Sequence, residues 1–229
     1  MDRVLEPELM TGEDQALAYA QADFAQVNQG FVDRFRASFP KAVGGAMVDL
    51  GCGPGDIPVR FARTLPGFTI TAVDGSEPMI ALAKQAAKHA GVEDRVHLRC
   101  ARLPMLPLPL QSFDAVVSNS LVHHIPDPRL FWNEVVRLGK PGAAVLIMDL
   151  LRPESPGRAR EIVEQYSGSE APVLKEDFFN SLCAALTLHE IRYQIRSRGL
   201  GGLVCERASD RHWIVWGHLP KGIQKGPPP

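Results

Sequence analysis

The chain has 229 residues, with 25 basic against 26 acidic side chains and a formal net charge of -1, which gives room for one α/β domain but not two. The even charge argues against a nucleic-acid partner, and no apolar run reaches the length that spans a bilayer. The N-terminal stretch MDRVLEPELMTGED has neither a basic start nor an apolar h-region, so a soluble, cytoplasmic protein is expected.

After an irregular stretch to Asp14, Leu17, Ala20, Phe24, Val27, Phe31 and Phe35 recur at steps of three and four. That spacing predicts one amphipathic helix laid on a core, ended by Pro40 and Gly44-Gly45. Ala46 to Leu50 reads as a short buried strand and Ile57 to Thr64 as a helix. Between them Gly51, Cys52, Gly53, Pro54 and Gly55 make the turn, where the absence of Cβ atoms allows positive φ and close approach of a ligand. A second strand, Thr69 to Val73, ends in Asp74 roughly twenty residues further on, where a carboxylate can take the hydroxyls of a ribose. The alternative is that Asp74 only caps the helix that follows. The glycine spacing is Gly-x-Gly-x-Gly followed by Asp56, not the Gly-x-Gly-x-x-Gly of dinucleotide folds. An acid at that point repels a pyrophosphate and suits a ligand carrying an ammonium and a sulfonium.

Ser76 reads as an N-cap and Gly91 as a C′ glycine for a helix with Met79, Ile80, Leu82 and Ala83 inward. Val96 to Arg99 is a third strand. The prolines of Leu103 to Leu110 exclude helix and central strand. Phe113 to Ser118 is the fourth strand, and Asn119, Ser120 and His123 follow it at the strand ends that line the crevice of a doubly wound sheet. His123 is the more open histidine and the candidate base; His124 reads as packed. A helix from Arg129 to Leu138, a Gly139 to Gly142 turn and a fifth strand from Ala143 to Met148 come next. Asp149 and Arg152 then either face the crevice or pair with each other. Helices near Gly157 to Tyr166 and around Phe178, Phe179 and Asn180 follow, and Thr187 with Glu190 forms a capping box for a helix ending at Gly199. The last strand, His212 to Trp216, suits a sheet edge, and Lys221 to Pro229 reads as a disordered tail. His189 and His212 read as structural. Cys52, Cys100, Cys183 and Cys205 lie far apart with no histidine at metal-ligand spacing, so they are expected reduced and buried, and no metal is expected.

VDLGCGPGD, AVDGSEPMI, LPLPLQSFDAVVSNSLVHHIPDP and LGKPGAAVLIMDL, in that order across Ala46 to Leu150, resemble a class I S-adenosylmethionine-dependent methyltransferase of the small type 11 kind. The resemblance implies a doubly wound, mostly parallel seven-stranded α/β sheet with helices on both faces. It implies S-adenosyl-L-methionine as cofactor, with S-adenosyl-L-homocysteine as product. On this sequence the cofactor residues would be Asp49, Gly51, Cys52, Gly53, Gly55, Asp74, Gly75, Met79, Arg102, Leu103, Asn119 and Ser120. The chain departs from the family at Arg102, which stands where an acid commonly holds the adenine amine and cannot accept a hydrogen bond; arginine could stack on the ring instead.

In such proteins a leading helix closes over the cofactor and an insertion after the fifth strand caps the substrate. This divides the chain into a helical lid at residues 1–45, the methyltransferase domain at 46–217 with a cap at 153–186, and a tail at 218–229. Tyr19, Asn28, His123, Asp149, Arg152, Tyr166 and Asn180 are the substrate candidates. The expected acceptor is a small molecule, and the expected assembly is a monomer or homodimer. Transfer from a sulfonium needs mainly alignment, so the lack of an obvious base leaves the acceptor atom open. A non-catalytic cofactor-binding subunit, an RNA-modifying enzyme and an NAD-dependent oxidoreductase are the alternatives. Asn119-Ser120-Leu121-Val122 in place of an Asn/Asp-Pro-Pro-Tyr-type motif argues against methylation of base amines.

Overall fold

A computed structural model describes residues 1–6, 12–21, 23–168 and 170–222; the tail expected from Lys221 lies almost wholly outside the described residues. Two helices, α1 (Glu13–Gln21) and α2 (Ala25–Ser38), precede β1 (Gly44–Leu50), α3 (Asp56–Thr64), β2 (Gly67–Asp74), α4 (Glu77–Ala90), β3 (Val96–Cys100) and β4 (Phe113–Asn119). A 3₁₀ turn (Val122–His124), α5 (Pro128–Leu138), β5 (Gly139–Leu150), α6 (Pro156–Ser167), α7 (Pro172–Ala184), α8 (Leu188–Ser197), β6 (Val204–Arg207) and β7 (His212–His218) complete the chain. The seven strands form one sheet in the order β3-β2-β1-β4-β5-β7-β6. β1 to β5 run parallel and β7 lies antiparallel to both β5 and β6. The strand order reverses between β1 and β4, so their carboxyl ends flank the crevice where open α/β sheets bind ligands.

The alternation of side chains along the strands assigns the two faces. Met47, Ala115, Val117, Leu146 and Met148 pack with Phe31, Val32 and Phe35 of α2. Val48, Leu50, Val116, Val145 and Ile147 pack with Phe131 and Trp132 of α5 and with Ile191 and Ile195 of α8. By the same alternation Asp49 and Asn119 belong to the α2 face and Asp149 to the opposite one. Ser118, buried, fastens the switch point by donating Oγ to the carbonyl of Leu50 at 2.6 Å.

Four sequence expectations are corrected. The leading helix is two helices, because Asp23 Oδ1 accepts the Ala25 amide at 3.0 Å, a local side-chain bond that competes with helix. The Gly139 to Gly142 segment belongs to β5, pairing with β4 through a register shift between Phe113 and Ala115; Gly142 at φ +80° accommodates that irregularity. The last strand, β7, is interior: the polar-flanked β6 (Val204–Arg207), too short to stand out as a pattern, forms the edge beside it. All four cysteines are free, but Cys100 is exposed and Cys205 only half-buried. Elsewhere the caps are as expected: Ser76 accepts the Met79 amide, Gly91 is left-handed, and Thr187 with Glu190 closes both bonds of a capping box. α6 and α7 share a small apolar cluster with Leu150 and Ala185. No helix among the described residues is long and apolar enough to cross a membrane.

Candidate cofactor and acceptor site

The glycine turn hangs on β2. Gly51 and Cys52 both donate their amides to the carbonyl of Val73, at 2.8 and 2.9 Å, and Gly53 donates to Asp74 Oδ2 at 2.9 Å. Asp74 Oδ1 accepts the Ser76 amide at 2.9 Å. Each carboxylate oxygen thus spends one lone pair on the backbone and keeps another for a ligand. Asp74 therefore ties the glycine turn to the start of α4, whose N-cap is Ser76 and not Asp74. Burial raises its pKa, against the pull of these amides.

The three glycines have different duties. A Cβ on Gly51 would lie 2.8 Å from Leu121 Cβ, and one on Gly55 would lie 2.8 Å from Ala83 Cβ on α4, whereas one on Gly53 would meet nothing within 4 Å. Gly51 and Gly55 are required by packing; Gly53 alone opens onto empty space. All three have positive φ, +77°, +52° and +89° in order.

Beside that space lie buried acceptors with no donor. Both oxygens of Asp49, on the α2 face of β1, and Oδ1 of Asn119, on the same face of β4, have no hydrogen-bond partner. Burial, reinforced by the charge of Asp74, pushes the Asp49 carboxyl up to about 8. An unsatisfied buried carboxylate is costly, and a cation would relieve it. Asn28 of α2 reaches across, its Oδ1 taking Asn119 Nδ2 at 3.5 Å and its Nδ2 donating to Asp56 Oδ2 at 2.8 Å. Asp56 also receives Arg60 Nε at 2.7 Å, so the charge expected to repel a pyrophosphate is offset, and Asp49 is the acid left without a partner. Tyr19, half-buried on α1 with its ring 4.9 Å from that of Phe24, has its hydroxyl pushed up to about 12 by burial and by the charges of Asp74 and Asp149.

The remaining cofactor candidates border the loop. Cys52 is buried, which raises its thiol well above the ordinary range, and Met79 is buried in the first turn of α4. Arg102 is exposed and folds over Gly75, donating Nε to its carbonyl at 3.3 Å, while Leu103 packs partly into the lower core. Ser120 sits at φ +58° just past β4, a left-handed position uncommon outside glycine.

His123 is placed differently from its expectation. It is 4 % exposed, with Nδ1 2.5 Å from Asp149 Oδ1, while His124 is the more open at 19 %. Asp149, fully buried, accepts the Val122, His123 and Leu150 amides as well. Burial alone would raise Asp149 and lower His123, but their mutual attraction wins, holding the carboxyl low and the imidazole high. Asp149 therefore pairs with His123 and not with Arg152, which instead bonds Glu190 Oε1 at 2.8 Å and the Ala185 carbonyl at 3.2 Å. In Asp149→Asn an amide hydrogen would face backbone donors and leave His123 unpaired. That variant is expected to lose about 3–5 kcal/mol of stability, on the order of 10 °C in Tm; a melting curve with a drop under 2 °C would refute it.

On the α2 side a cavity of about 340 Å³ is lined by Val27, Phe31, Met148, Arg34, Arg211 and His212 among others. Arg34 pairs with Glu206 and lies over Trp216. Tyr166 donates to Asp210 Oδ2 at 2.8 Å, its ring 3.3 Å below the Arg211 guanidinium, so it buttresses the rim. Burial, with Arg211 next, pushes His212 down to about 4, a neutral lining residue where the sequence suggested only structure. Asn180 is half-buried on α7 and makes no hydrogen bond among the described residues.

Residues 48–147 match the family model Methyltransf_11, described as a methyltransferase domain. The matched segment runs from β1 to β5 and includes the glycine turn, Asp74 and the loop after β4. The chain is 28% identical over 180 residues to the 27-O-demethylrifamycin SV methyltransferase of Amycolatopsis mediterranei, covering 78% of this chain and 62% of that one. Against a demethylmenaquinone methyltransferase of Lactiplantibacillus plantarum it is 35% identical over 112 residues, 48% of this chain and 47% of the other. The chain thus spans about half to two thirds of the length of these two curated relatives. A SAM dependent methyltransferase from Aquifex aeolicus shares the fold, with a TM-score of 0.63 at 15% identity over 89% of this chain and 97% of that one.

Proposed function

We propose that this chain, whose residues 48–147 match a methyltransferase domain, transfers a methyl group from S-adenosyl-L-methionine to a small apolar molecule bearing an acidic group. The observation that carries the cofactor half is the set of orphaned acceptors, Asp49 and Asn119, beside the open space at Gly53 and the half-used carboxylate of Asp74. The residues present fit that cofactor. Asp74 would take the ribose hydroxyls, Asp49 and Asn119 the ammonium, and the Gly53 backbone would allow close approach. The Arg102 guanidinium would stack on adenine in place of the usual acid, with Leu103, Gly75 and Met79 as neighbours. When bound, S-adenosylmethionine supplies a methyl carbon already activated by a positive sulfur.

What the chain must add is alignment and exclusion of water, worth several kcal/mol on their own. In this reading the cavity between α2, β5 and the β6–β7 hairpin would hold the acceptor in line. Val27, Phe31 and Met148 offer an apolar floor, while Arg34 pairs with Glu206 and Arg211 with Asp210, which leaves the exposed Arg207 as the one unmatched guanidinium of the lining among the described residues, beside a neutral His212. That balance favours an anion on the acceptor. Tyr19 and Asn28 form the wall between cofactor and acceptor. The His123–Asp149 pair fixes the loop after β4, so His123 is a positioning residue in this reading.

The deciding experiment is calorimetric titration with S-adenosylhomocysteine and NAD in parallel, followed by mass-spectrometric scoring of methyl transfer to matched small acids and their amides. Tight binding of the first ligand only, and transfer favouring acids, is expected. Binding of NAD alone would overturn the cofactor reading, and equal use of amides would overturn the acceptor class. The relatives act in the same sense by name, on a demethylrifamycin and a demethylmenaquinone.

A further inference from the structure

Glu6, His123 and His124 each offer a ligand atom within 4.8 Å of the others. The two histidines are neighbours in the 3₁₀ turn, and Glu6 comes from the N-terminal segment. Residues 1–6 are laid against α7 and the 3₁₀ turn: the Val4 amide donates to the Cys183 carbonyl at 3.1 Å, and Arg3 donates to the carbonyls of Ala184, His123, Ile125 and Pro126. Glu6 is thereby brought to the turn and is 10 % exposed. Its Oε1 accepts Ser181 Oγ at 2.5 Å. Its Oε2 and His124 Nδ1 face each other at 2.5 Å, yet both are buried atoms lacking an aligned hydrogen bond.

His123 completes the set. Its Nδ1 is held by Asp149, which leaves Nε2 as the nitrogen with a free lone pair. An imidazole whose far nitrogen is bonded to a buried carboxylate is how metal-binding histidines are oriented and made more basic. The two rings lie 4.0 Å apart between centroids, so both can address one point beside Glu6.

We propose that Glu6 Oε2, His123 Nε2 and His124 Nδ1 form a binding site for one divalent transition ion of the Zn²⁺ type. Two imidazoles and a single carboxylate suit a borderline ion and not Mg²⁺ or Ca²⁺, which call for oxygen ligands. Ligands bonded at about 2.0–2.2 Å around a tetrahedral ion stand roughly 3.3 Å apart. The Glu6–His124 pair, at 2.5 Å, therefore opens by under about 1 Å, while the wider separations, which reach up to 4.8 Å, close by up to about 1.5 Å. The nearby Arg3 cation is spent on backbone carbonyls, and Asp149 offsets it. The ion ties the first six residues to the loop after β4 and to α7, clasping the N-terminal segment beside the crevice. Three protein ligands leave the fourth tetrahedral position to water. Adjacent histidines and a glutamate more than a hundred residues away make no recognisable spacing, which is why the sequence suggests no metal.

The test is independent of the methyl-transfer reading. Chelator-treated full-length chain is titrated with Zn²⁺ by calorimetry and with Co²⁺ by visible absorption. One ion per chain, intense tetrahedral cobalt bands and a Zn²⁺-dependent rise in Tm are expected. Glu6→Gln and His124→Ala should each weaken Zn²⁺ at least tenfold and abolish the rise, while His189→Ala, at an exposed site, should not. Should His124→Ala fail to fold, the near-isosteric Glu6→Gln decides. No saturable binding to the wild type, or unchanged binding to Glu6→Gln, would overturn the site.

Discussion

Asp74→Ala is expected to lower the affinity for S-adenosylhomocysteine by at least about 100-fold, since two hydrogen bonds to a charged acceptor at about 1.5–3 kcal/mol each are removed. The same carboxylate holds the Gly53 and Ser76 amides, so some stability is lost as well, about 2 kcal/mol. Asp74→Asn, which keeps an acceptor oxygen, should lose less of both. The glycines separate binding from folding more cleanly. Gly53→Val places its side chain where the protein has no atom within 4 Å. It should therefore fold, at a backbone cost of about 1–2 kcal/mol, yet bind ligand at least about 100-fold more weakly because it fills the cradle. Gly55→Val drives a side chain into Ala83 of α4 and should lower Tm before any question of binding arises. Calorimetric titration and thermal melts on the four variants decide the matter. If Gly53→Val binds normally, the ligand does not approach that loop.

The contrast between those glycines marks how far the sequence could be read. β1, β2, β4 and their helices were legible because apolar runs bounded by Gly and Pro are local signals, and Ser76, Gly91 and Thr187-Glu190 are local chemistry. The Gly-x-Gly-x-Gly turn with Asp74 was legible for the same reason, although which glycine faces the ligand depends on Leu121 and Ala83, set by packing across the chain. The break at Asp23 was hidden because a single Asx bond interrupts an apolar rhythm without altering it. β6 was hidden because four residues carry too little pattern. His123 and Asp149 are 26 residues apart and meet only through the β4–β5 pairing. From the sequence His123 looked open, and Asp149 with Arg152 could equally have faced the crevice or paired with each other. Glu6 and the cavity residues Arg34, Arg211 and His212 come from distant elements, and only the closed sheet brings them together.

Asp49 supplies the other large expected effect, and it is one of pH. Its carboxyl titrates at about 8 in the folded chain, raised first by burial and then by Asp74, against an ordinary 3.8. The folded state therefore keeps a proton that the unfolded state releases. The stability contributed is fully present below about 3.8 and is lost as pH rises through about 8, at about 1.4 kcal/mol per pH unit between those limits. Asp49→Asn, neutral at every pH, should match the wild type near pH 4, exceed it increasingly from pH 5 to pH 8, and run parallel to it above. Ligand binding should follow the opposite course. An ammonium pairs with the ionised carboxylate, so binding expels the proton, and the affinity for S-adenosylhomocysteine should rise by up to about tenfold per pH unit between pH 6 and 7.5. Calorimetry in two buffers of different ionisation enthalpy should count close to one proton released by the wild type at pH 6.5 and none by Asp49→Asn, whose affinity should be weaker and flat with pH. Equal proton release by the two proteins would mean that the ammonium is held elsewhere, and the orphaned oxygens of Asp49 would then be a cost of the fold with no return in binding.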